Sequence, residues 1–121
     1  MATQPENEGI PFEELIEQIW KVHPGKKSWL KAETKKRAEE HSKLNSIYDE
    51  LCWFLAEADL TLRNLYALKI LKKLSNESMA MPSEPNIRFL AEKISEYHNP
   101  LPDLEWQLAE RKALIDLLGE E

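Results

Sequence analysis

Three histidines, one cysteine and twenty-two carboxylates are the side chains here best suited to bind a metal or move a proton, and the cysteine and the serines are candidate nucleophiles. A helical metal site needs His-Glu-x-x-His or Glu-x-x-His spacing, which puts the ligands on one face. The residues three positions before His23, His41 and His98 are Trp20, Ala38 and Ser95, so this pairing is missing. The histidines read as surface or cap residues. A phosphate-cradling loop needs closely spaced glycines, because backbone amides must approach the anion. The glycines stand at 9, 25 and 119. No nucleophile-elbow signature surrounds a serine. Cys52 lies among apolar residues and reads as a small core hydrophobe. A single thiol makes no internal disulfide, which points to a reducing compartment. No cofactor and no metal are expected.

One carboxylate cluster has a familiar spacing. Glu13-Glu14-Leu15-Ile16-Glu17 resembles the Glu-Glu-x-x-Glu element of all-α nucleotide pyrophosphohydrolases. The resemblance implies Mg²⁺ held between helices by this element and a later Glu-x-x-Asp. Three residues before Asp49, Asp59, Asp103 and Asp116 stand Ser46, Ala56, Pro100 and Ala113, so the second element is absent. Acidic residues at the start of an amphipathic helix are accounted for by the helix dipole. A magnesium-dependent hydrolase is therefore a distant third choice, and the chain is read as non-catalytic.

The strongest binding signal is charge. The chain carries a formal −6, yet residues 21–37 carry Lys21, Lys26, Lys27, Lys31, Lys35, Lys36 and Arg37 against Glu33 alone. That segment is +6, which leaves −12 for the rest. On a helix Lys27, Lys31 and Lys35 share a face at i, i+4, i+8, with Lys36 and Arg37 elsewhere around the cylinder. Trp29 stands beside them as a dock for the first helix or an interface anchor. The candidate partner-binding residues are Lys27, Lys31, Lys35, Trp29, Lys36 and Arg37. Another protein is the first choice of partner and nucleic acid, through segment 21–37, the second. An isoelectric point near 5.2 weighs against nucleic acid. A helix-turn-helix over 87–118 is disfavoured by two prolines in its connector and by Asp103 and Glu105 at the head of its second helix.

The elements that must position these side chains are helices. Apolar residues make up 42% of the chain, three glycines are too few for a turn-rich β protein, and residues 26–81 contain neither glycine nor proline. Residues 1–10 are expected to be a flexible tail and 11–119 one helical domain. A first helix is predicted from Pro11 to Val22, with Phe12, Leu15, Ile16, Ile19 and Trp20 on one face and Pro24-Gly25 after it. From Leu44 two seven-residue series run, Leu44/Leu51/Ala58/Leu65 and Ile47/Phe54/Thr61/Leu68. Residues 31–43 lack an apolar face.

A single helix over 27–75 would be roughly 70 Å long, against roughly 28 Å for a compact domain of this size. A break is therefore expected near Ala58–Thr61, capped by Asp59 or Thr61, with the next helix ending near Ser75-Asn76. The unbroken alternative would be a coiled-coil oligomer, so a homo-oligomer is a further partner option. A fourth helix is predicted from Glu84 to His98 behind Ser83 as cap, and a fifth from an Asp103 cap to Leu118. The tripeptide Leu-Ala-Glu recurs at 55, 90 and 108 without a period, so no solenoid is read.

No stretch is apolar enough to span a membrane, and the polar N-terminus lacks the pattern of a signal peptide. The chain is expected to be a complete cytoplasmic protein. The expected architecture is all-α, a single-domain bundle of about five helices with one long central helix around 44–58. Its expected role is that of an adaptor, inhibitor or regulatory subunit.

Overall fold

The computed structural model describes residues 10–44, 47–72 and 81–119. These described residues form an all-α domain of five helices: α1 (Phe12–Val22), α2 (Lys27–Ser42), α3 (Tyr48–Lys69), α4 (Glu84–Glu96) and α5 (Leu101–Gly119). Among the described residues there is no strand. No helix among them is long and apolar enough to cross a membrane.

α1 begins behind Pro11, with Glu13 and Glu14 at its positive end and Lys21 in its last turn. It buries Leu15 and Ile19 completely. α2 buries only Leu30 and Thr34 of its sixteen residues, as expected of a segment without an apolar face. Its last turn closes with the Ser42 hydroxyl donating to the Glu39 carbonyl (2.7 Å). α3 opens with Asp49 and Glu50 in its first turn, and the Ile47 amide donates to the Glu50 carboxylate (3.4 Å).

The break expected at Ala58–Thr61 is not there. α3 runs unbroken for 22 residues through that region, about 33 Å at the standard rise. Asp59 does not cap a helix. Its two carboxylate oxygens accept from Arg63 on the same helix and Arg111 on α5 (2.8 and 2.9 Å). The length argument holds, but the helices are separated earlier, α2 ending at Ser42 and α3 beginning at Tyr48, where the lysine-rich sequence gives way to the apolar one. The predicted end near Ser75-Asn76 lies outside the described residues, and α3 ends at Lys69.

α4 starts as predicted, with Ser83 Oγ accepting from the Asn86 amide (3.4 Å) and a proline in the first turn. α5 starts two residues before the predicted cap. Leu101 and Pro102 form its first turn, and the Pro100 carbonyl accepts from the amides of Asp103 and Leu104. A proline at a helix start removes only an amide that has no partner in the helix.

α3 and α5 are parallel, because Leu51 and Leu55 pack with Leu104 and Leu108, while Leu62 and Tyr66 pack with Leu114 and Leu118. α4 lies antiparallel on another side of α3, setting Ile87 against Ala56 and Leu60 and Ile94 against the Leu51 end. α2 runs antiparallel to α5, since Arg37 pairs with Asp116 and His41 approaches Glu105. The extensive helix pairs are α3 with α5, α2 with α5 and α3 with α4. α1 covers the end of the core where Leu15 and Ile19 meet Leu30, Leu62, Tyr66 and Leu114. Each such leucine contributes on the order of 1.5–3 kcal/mol by leaving water.

Ile10, at the edge of the expected tail, is half-buried, and its carbonyl accepts from Arg63. The seven-residue series are corrected in part. Leu51 and Ala58 are buried, but Leu44, Ile47 and Phe54 face solvent at 69%, 61% and 37% exposure.

Candidate partner-binding surface

α2 presents Lys27, Lys31, Lys35 and Lys36 as exposed side chains. Two of the six candidates are not free in this way. Arg37 is half-buried and bridges α2 to α5, with its Nη2 2.7 Å from Asp116 and its Nε donating to Glu33 at 3.0 Å. Trp29 packs on the core beside α1, with the Lys26 ammonium 5.4 Å from its ring centre. Trp29 therefore helps seat α2 on the core.

α2 and α3 both lie on α5 and, among the described residues, share no comparable interface with each other. Between them opens a cleft of about 420 Å³. Its apolar lining includes Phe54, Ala58 and Ile115, while Arg37, Lys112, Glu57 and Asp116 supply charge. Met81, 72% exposed, and Pro82 also line it. The sequence placed Phe54 in a buried series. Its angular position on α3 was legible, but the empty space beside it was not.

A second cluster has no counterpart among the residues singled out by the sequence. Asp59 and Arg63, each 8% exposed, lie in the seam between α3 and α5. Arg111 completes the set and stacks on Phe12 of α1, its guanidinium carbon 4.0 Å from the ring centre. A buried ion pair contributes little net stability, but its geometry specifies which groups must meet. Here Arg63 and Arg111 both reach the chain at Ile10 and Phe12, so the cluster fixes the entry to α1. The i, i+4 spacing of Asp59 and Arg63 within an apolar helix was the available signal. Arg111, 52 residues from Asp59, gave none.

Beside this cluster, Glu110 is held above the usual carboxylate range by burial, opposed by the charge of Arg111 and reinforced by that of Glu13. Cys52 is buried as expected. Burial pushes its thiol up and Asp49 adds to the effect, while the neighbouring Tyr48 hydroxyl opposes it. A thiol kept protonated is a poor nucleophile.

Glu13, Glu14 and Glu17 are exposed on α1. Among the described residues no group of three or more His, Cys, Asp or Glu side chains could hold a metal ion. Comparison with protein-family models, curated proteins and solved structures finds no match to this chain.

Proposed function

We propose that the protein is a non-catalytic binding module, an adaptor, inhibitor or regulatory subunit, that engages another protein through the faces of α2 and α3. The observation that carries this reading is the open cleft over α5, with Phe54 and Ile115 in its lining and the exposed Lys27, Lys31 and Lys35 on the neighbouring helix. An amphipathic helix laid into such a groove anchors through apolar residues at i, i+3 and i+4. The lysines raise the encounter rate with an acidic partner and orient it before apolar contact forms.

The test is capture from native lysate, with and without nuclease, using the wild type, Phe54→Asp and the triple variant Lys27→Glu/Lys31→Glu/Lys35→Glu. A stoichiometric protein that survives nuclease, is lost with Phe54→Asp and is weakened in the triple variant is the expected result. Capture of nucleic acid alone would replace this reading with the nucleic-acid alternative. In that case log affinity should fall against log salt with a slope of roughly −3 or steeper for three or more phosphate contacts. Unchanged capture by both variants would dismiss both readings.

A further inference from the structure

Among the described residues, the two ends of the bundle differ in charge and in apolar exposure. At one end, Val22 from the close of α1 and Lys69, Ile70 and Lys72 from the close of α3 line a cleft of about 440 Å³. Lys21 and Lys26, exposed on either side of the α1–α2 turn, add to the positive charge there. At the other end, α2 and α4 finish and α3 and α5 begin. Four large apolar side chains are exposed at that end: Leu44 (69%), Ile47 (61%), Tyr97 (78%) and Leu101 (42%). Exposed Asp49, Glu50, Glu96 and Asp103 accompany them, against Lys43. α3 alone separates the ends by about 33 Å.

We propose that these ends are the two halves of one homotypic interface, in which the lysine end of one copy docks head-to-tail on the acidic, apolar end of the next. The chemistry of the acidic end selects the occupant. Exposed apolar residues among carboxylates call for a partner with apolar groups among cations, and the opposite end of this same chain supplies Val22, Ile70 and the lysines. An end-on two-fold contact would set acid against acid or lysine against lysine, which electrostatics opposes. A head-to-tail contact is heterologous, so it continues into longer chains unless its rotation closes a ring. The surface lies apart from the cleft between α2 and α3, so a partner there and a second copy here can bind together.

Sedimentation velocity on the full chain tests this over a range of concentrations, at about 50 mM and about 500 mM NaCl, where screening differs severalfold in range. The expected result is concentration-dependent association at low salt that passes beyond dimer and weakens at least about tenfold at high salt, since rim charges are screened. Lys21→Glu/Lys26→Glu/Lys72→Glu removes one half of the interface and Asp49→Lys/Asp103→Lys the other. Each variant alone should remain monomeric, with its fold checked by circular dichroism. An equimolar mixture should associate again, because the intact end of each variant meets the intact end of the other and the two reversed ends carry opposite charges. A wild type that stays monomeric at every low-salt concentration overturns the proposal. So does a dimer that persists in either variant alone.

Discussion

α3 meets α5 through Leu51, Leu55, Leu62 and Tyr66, all at most 3% exposed, with the Asp59–Arg63–Arg111 cluster buried in the same seam. α2 meets the same helix with Leu30 and Thr34 as its buried residues and the Arg37–Asp116 pair as its tether, Asp116 being half in solvent. Both helices are long and both lie along α5, yet the first is attached through a broad apolar seam and the second along a narrow stripe with charge at its edges. An apolar seam excludes water along its length and leaves its helix few side chains to offer elsewhere. A helix attached along a narrow stripe keeps the rest of its circumference free, and on α2 that remainder carries the lysines. The difference separates a helix that makes the core from one displayed upon it.

The comparison breaks most sharply at Asp59. Asp59→Ala should cost about 3–5 kcal/mol, because Arg63 and Arg111 lose the carboxylate between them in a buried seam. Urea denaturation measures it, and a loss under about 1 kcal/mol would mean that the α3–α5 seam is as well solvated as the α2 contact.

A cavity comparison comes next. Leu62→Ala should cost about 2–5 kcal/mol of global stability. Leu30→Ala should instead loosen α2 locally, so that hydrogen exchange of α2 amides accelerates more than that of α3. Equal acceleration in both helices would erase the distinction.

Thr34 sharpens it in the opposite direction. It is 1% exposed, and among the described residues its hydroxyl has no hydrogen-bond partner. A buried unsatisfied polar group is destabilising, so Thr34→Val should raise stability by about 1 kcal/mol. A lower melting temperature in this variant would instead reveal a partner for the hydroxyl, and with it a more specific α2–α5 contact.

The smallest effect belongs to Glu110, beside the cluster. Its pKa is raised in the fold, above all by burial, so the folded state holds this proton more tightly than the unfolded chain does. Its ionisation therefore subtracts stability as pH rises through the folded pKa, and the penalty is absent below the unfolded one. Glu110→Gln should raise the melting temperature slightly at about pH 7, and the gain should fade towards about pH 4, where unfolded glutamates take up protons. A gain that grows on acidification would have the wrong sign.

Helix existence was legible wherever local signals agreed. Pro11 and Pro24 bracket α1, and Ser83 with Pro85 opens α4. The error at Ala58–Thr61 came from treating Asp59 as a cap because aspartate often is one. A carboxylate flanked by alanine and leucine is equally suited to a buried pair, and the choice depends on whether a cation arrives from elsewhere in the chain. The lysine face of α2 was legible from its i, i+4 spacing. That Arg37 belongs to the α5 contact rather than to this face was not, since Asp116 is 79 residues away.

By itself the sequence determined the helical class, the lysine face of α2 and the absence of familiar metal and phosphate motifs, because these follow from residue type and local spacing. Tertiary structure decided where the long apolar stretch starts, which arc of α3 stays uncovered, what Asp59 binds and which charges gather at each end. Periodicity names the residues that share one side of a helix, whereas burial depends on which distant helix comes to lie against that side. Those contacts join residues far apart in the chain, and only the fold brings them together.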